Sequence, residues 1–262
     1  MRDRLACRLL LDRLMRSHAL LALALAACSQ PGHATTDPEQ PQPPRPVKLD
    51  RPAVVQFHMR GHLGDLRSIE RDLISGKLED AQATAFMLTK TSNDPGLQPW
   101  APEMARVVDA ANQLIAARSV DDGCRRVAQV AEACAQCHIK TQTTPVFADA
   151  APPPADDGSP ITRMVRHQWA VDRLWEGMVA GTDKPWVAGL QVLAASPLPF
   201  TQLTDAPAHA AHLQQLAATA LAHHQDQSET LDSRTTTYGE MLVTCAACHT
   251  SLYRSGLAVS PR

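Results

Sequence analysis

The stretch SVDDGCRRVAQVAEACAQCH, residues 119–138, decides the fold. Ser119 is a helix N-cap residue, with a hydroxyl able to accept from the amides of the first turn. Behind it Val120, Cys124, Val127, Ala131, Cys134 and His138 recur every three or four residues, which puts them on one face of a helix. A second stretch, residues 230–249, has the same pattern. Thr230 stands as cap, and Leu231, Thr235, Tyr238, Leu242, Cys245 and His249 face inward.

Outward from these helices the chain repeats. A shift of 105 residues superposes Met59 on Met164, His62 on His167, Leu66 on Val171, Ile69 on Leu174 and Gly76 on Gly181. The capped stretches are related by 111 instead, so six extra residues are expected between the third and fourth helices of the second copy, around 224–229. Each copy reads as four helices. In the first they span residues 54–75, 78–89, 102–117 and 119 onward, with Gly76 as a C-terminal cap. The first helix carries the stripe Val55, Met59, His62, Leu66, Ile69, Leu73, a bundle seam. In the second copy, helices one and three are expected at 161–180 and 208–223. Hydrophobic residues are 44% of the chain but aromatics only 4%, so alanine and leucine carry the apolar content and favour helix. The expected fold is all-α, two tandem four-helix bundles.

The ends and joints read differently. Residues 1–27 combine five arginines with a short apolar run from Ala19 to Ala27. That run falls short of the roughly 20 residues a membrane-spanning helix needs, and it ends in Leu25-Ala26-Ala27-Cys28, which resembles a bacterial lipobox. The resemblance implies a lipoprotein signal peptide cut before Cys28, the lipid attachment residue. Met15 is an alternative start. Ser29 after the cysteine favours the outer membrane by the same resemblance. Residues 28–53 form a Pro-rich tether, 54–147 the first bundle, 148–160 a linker with Pro152-Pro153-Pro154, and 161–262 the second bundle. Removing a leader with five arginines and two aspartates takes the formal charge from −2 to about −5. With no basic stripe, nucleic acid is not an expected partner.

Of seven cysteines, Cys7 leaves with the leader and Cys28 takes lipid. Four form Cys134-Ala135-Gln136-Cys137-His138 and Cys245-Ala246-Ala247-Cys248-His249, both C-x-x-C-H. That spacing is the attachment motif of c-type haem: thiols one turn apart reach two vinyl groups, and the adjoining imidazole becomes the proximal iron ligand. A pooled zinc site or a thioredoxin-like pair are the other readings, the latter wanting a βαβ setting that the sequence lacks. Two copies at matched positions in an exported chain favour two haems c. Cys124 is left as a small core residue.

Helical units with C-x-x-C-H in the last helix and methionine in the first resemble the four-helix-bundle cytochromes, cytochrome c′ and its low-spin relatives, over residues 54–254. The resemblance implies covalent haem at Cys134, Cys137, Cys245 and Cys248, with His138 and His249 as proximal ligands. It places the distal residue near Met59 and Met164. The chain departs from the family in a shorter connection from helix one to the haem motif. The tyrosine-arginine pair also comes one residue late, as Tyr253-Arg254, and the first copy lacks it. Met59 and His62 share a helix face, as do Met164 and His167, so either member of each pair is a distal candidate.

The expected function is one-electron transfer in the bacterial cell envelope, by a periplasm-facing, lipid-anchored dihaem cytochrome whose redox partner presents a basic face. The alternative is a five-coordinate haem protein that binds or senses gases. A dihaem peroxidase would need an acid-base set that is not evident, so no enzyme is expected. His209, His212, His223 and His224 read as a solvated face, and Trp100, Trp169, Trp175 and Trp186 as core or haem-edge packing.

Overall fold

The computed structural model describes residues 52–90, 98, 100–147, 150–195 and 206–254, with side chains outside 52–54, 206, 253 and 254. The expected signal peptide, Cys28, the tether up to residue 51 and the tail beyond 254 lie outside the described residues. Among the described residues the chain is all-α, with eight helices and no strand. They are α1 (Pro52–Ile74), α2 (Leu78–Thr89), α3 (Ala101–Ile115), α4 (Val120–Thr141), α5 (Pro160–Ala180), α6 (Asp183–Ala195), α7 (Ala206–Gln225) and α8 (Leu231–Arg254). None of the described helices is long and apolar enough to cross a membrane.

Local chemistry sets the ends. Ser119 Oγ accepts from the Asp122 amide at 3.1 Å, and Thr230 Oγ1 from the Ser233 amide at 3.1 Å. Ser159 caps α5 in the same way, accepting from the Thr162 amide at 3.2 Å, and Pro160 follows in the first turn. Gly76 and Gly181 end α1 and α5 in the left-handed region, at φ 76° and 63°. The insertion expected around 224–229 is only partly a loop: His224 and Gln225 finish α7, and residues 226–229 lie beyond it. α3 and α7 begin 105 residues apart, but α7 has 20 residues against 15 in α3. The Ala-rich run Leu216 to Ala222 is good helix former, so most of the insertion is absorbed as additional helix.

Within each half, every helix packs on the next in the chain; across the halves α4 packs on α8, α4 on α5 and α1 on α8. One hydrophobic core runs through all eight helices, from Leu66 in α1 to Ala246 in α8. The stripe of α1 is buried as its spacing requires, with Leu66, Ile69 and Leu73 sealed. At Gly177 the α5–α6 approach is close enough that a Cβ would lie 2.7 Å from the Trp186 amide nitrogen. A Cβ on Gly181 would lie 2.8 Å from Ile139 Cδ1, and one on Gly76 3.3 Å from Thr250 Oγ1, so the end of each half's first helix meets the last helix of the other half.

Polar groups also cross the seam. Glu70 of α1, buried among apolar neighbours, accepts a hydrogen bond from Tyr238 Oη of α8. Burial first pushes its carboxyl up to about 7; Tyr238, Arg67 and Arg71 oppose the rise, and Asp172 adds to it. Glu176 of α5 takes Arg173 at 2.5 Å and Arg67 of α1 at 3.3 Å.

Candidate functional site

The C-terminal turns of α4 carry Cys134, Cys137 and His138 on one face, since residues three and four apart are neighbours on a helix. All three line a cavity of about 470 Å3. Its opposite wall is α1, which contributes Met59, His62 and Leu66, and α3 closes it through Met104, with Trp100 just before that helix. The volume falls within the roughly 300–1,000 Å3 of small-molecule and cofactor sites. Glu103, buried in the first turn of α3, pairs with Lys140 and braces α3 against the end of α4.

His138 is held by the other half of the molecule. Its Nδ1 lies 2.9 Å from the Val179 carbonyl oxygen in the last turn of α5. Carbonyls that close to a helix C-terminus have no partner within the helix. A carbonyl only accepts, so Nδ1 carries the proton and Nε2 keeps its lone pair. This is the tautomer of a metal-ligating histidine, whose outer nitrogen is usually tied to a carbonyl or carboxylate. Burial lowers the His138 pKa, partly offset by the Val179 bond. The ring is therefore neutral at physiological pH.

The equivalent residues of the second half also come together. Cys245, Cys248 and His249 of α8 line a second cavity with Met164 and His167 of α5 and His209 of α7. The donor set matches the first, but the space is about 20 Å3, room for roughly one water. A macrocycle enters there only if side chains such as Leu213 and His209 swing outward. His209, expected on a solvated face, is instead half-buried in this site. Residue 209 stands 105 after Met104, and that offset was the signal in the sequence that marks it as a site residue. The sequence reading also missed the Val179 carbonyl, because a backbone oxygen carries no residue-type signature.

Burial also favours the neutral form of the distal candidates His62 and His167. His62 is 7% exposed, and burial, then the charge of His58, lowers its pKa to about 4. His58 stacks on it at 4.2 Å between ring centroids. Burial, then His249, does the same to His167, also to about 4. The thiols are pushed the other way. Burial, then Cys137, raises Cys134 to about 12, and burial raises Cys137, Cys245 and Cys248 as well. A thiol-exchange protein lowers the pKa of its attacking cysteine. These cysteines are set against that chemistry.

Nor are the motif residues gathered as a zinc cage. Among the described residues, the one group of three donors with ligand atoms within 4.8 Å is Asp183, His224 and Glu229. Arg234 already occupies it, bonding Asp183 at 2.7 Å and Glu229 at 2.8 Å, and Trp186 Nε1 donates to Glu229 at 2.7 Å. Cys124 lies sealed in the core, its thiol raised to about 12 by burial first.

Comparison with known protein families, with curated proteins and with solved structures finds no match.

Proposed function

We propose that the chain is a dihaem c-type cytochrome that transfers single electrons in the bacterial envelope, built as two four-helix units on a duplicated sequence. The observation that carries this reading is the cavity against α4. Two thiols one turn apart and an imidazole fixed by Val179 with Nε2 unprotonated line one wall of a cofactor-sized space. Those residues fit the group: Cys134 and Cys137 would hold it covalently and His138 would ligate its iron. Cys245, Cys248 and His249 supply the same donors in the second half, once its side chains part. Bound haem iron supplies a one-electron couple. The protein's part is to hold the His138 imidazole in one tautomer and to line the first site with Leu66, Met104 and Val107.

Cys28, the tether and the acidic net charge complete the reading: lipidation on the periplasmic side, favouring the outer membrane, and a redox partner with a basic face. The test is expression of the full chain, with its leader, in a host that attaches haem c. Intact mass of the mature protein should show two haems. Cys134→Ser with Cys137→Ser should remove one and leave the other. A polypeptide without haem from that host defeats the proposal.

A further inference from the structure

We propose that Glu70 is a proton-binding site linked to reduction of the first site: it takes a proton from water when an electron enters there and releases it when the electron leaves. The inference rests on the haem reading of the first cavity and extends it from electrons to protons. It makes no use of the second cavity.

The first argument is the company Glu70 keeps. Glu103 and Glu176, the other buried glutamates, hold cations: Lys140 for the one, Arg173 and Arg67 for the other. Glu70 is bonded to no cation among the described residues, and its one hydrogen bond comes from the sealed Tyr238 hydroxyl. A buried carboxylate without a cation is costly, and the neutral acid far less so. That is the setting of a group that exchanges a proton, not of an ion pair that braces two helices.

The groups around it leave that part to Glu70. On α1, Arg67 is engaged by Glu176 and Arg71 is exposed. On α5, Asp172 accepts from Gln168 at 3.2 Å. Cys124 of α4 and Cys245 of α8 lie within electrostatic reach, but burial raises both thiols, so neither is charged near neutral pH. Burial also takes the Glu70 carboxyl up to about 7, so acid and carboxylate are both populated there.

The second argument is placement. Leu66, one turn before Glu70 on α1, lines the first cavity. His62 in the same wall is eight residues from Glu70, about 12 Å along the helix axis. Leu66 and Ile69 between them are sealed, so salt screens little of what passes. At about that separation, and an effective dielectric of about 20, one added negative charge changes the proton affinity of Glu70 on the order of tenfold. The step balances. One electron from the redox partner takes iron(III) to iron(II), one proton from water turns the Glu70 carboxylate into the acid, and reoxidation returns both.

The experiment is a redox titration of the mature, haem-loaded full chain between about pH 5 and pH 9, its haem content fixed first by intact mass. The midpoint potential of the parent should fall by about 59 mV more than that of Glu70→Gln, the equivalent of tenfold for one electron. Reduced-minus-oxidised infrared spectra should show a carboxylic acid C=O band gained by the parent and missing from Glu70→Gln. Tyr238→Phe removes a donor that favours the carboxylate, so it should move the fall to higher pH; that shift decides the matter should Glu70→Gln fail to load haem. Parallel pH profiles in haem-loaded parent and Glu70→Gln overturn the linkage and leave the haem reading standing. So does a Tyr238→Phe profile identical to the parent's. A chain without haem overturns both.

Discussion

Glu70→Gln isolates the contribution of one buried carboxyl to the pH dependence of stability. In the unfolded chain this group ionises near its ordinary 4.5; folded, it does so at about 7, chiefly because burial strips the carboxylate of water. An acid whose folded pKa is raised keeps a proton that the unfolded chain has released. Folding is therefore progressively penalised as pH rises through the window from about 4.5 to 7, and the penalty is complete above it. At 1.36 kcal/mol per pH unit, the window of roughly two and a half units amounts to about 3 kcal/mol. Glutamine keeps the shape and an oxygen that can accept from Tyr238, but it cannot ionise. Urea unfolding of parent and variant at pH 4.5 and pH 8 should show them similar in acid, with the variant more stable by about 3 kcal/mol at pH 8. His62, His167 and the other titrating groups act in both proteins and cancel in the comparison. Parallel pH dependence in the two proteins would refute the reasoning.

Three further outcomes follow from particular contacts. Gly177→Ala puts a Cβ 2.7 Å from the Trp186 backbone nitrogen, so α5 and α6 must separate, and chemical denaturation should show a loss of at least about 1–3 kcal/mol. Ser119→Ala removes the hydroxyl that accepts from Asp122 and should cost about 1 kcal/mol in the same assay, while Ser119→Asp should restore most of it. Cys124, sealed and with its thiol raised to about 12, should resist alkylation in the native protein and react on addition of urea, as read by mass; rapid native labelling would contradict its placement in the core.

Much of this arrangement was legible in the chain before any coordinates. Spacing placed Val120 through His138 on one face because a helix brings every third or fourth residue into line, and the caps at Ser119, Thr230, Gly76 and Gly181 announced themselves by residue type. Helix α2 runs over 78–89 as the pattern predicts. What stayed hidden was long-range. Glu70 looks like one more solvated charge until its partner Tyr238 arrives from 168 residues away. The extra residues before α8 resembled a loop because they hold His224 and Asp226; α7 instead runs on to Gln225, and only the residues from 226 connect it to α8. The difference in size between the two cavities was hidden in the same way. Pairwise packing of that kind has no period to read.

The reciprocal helix ends have a consequence for how the chain came to hold together. Gly76 touches the residue after His249, and Gly181 touches the residue after His138, so patch i meets patch j and patch j meets patch i, which is how the subunits of a two-fold dimer meet. Here residues 148–160 join both partners. An encounter that would otherwise depend on protein concentration becomes internal, with the stoichiometry fixed at one to one and the effective concentration set by the length of that connection.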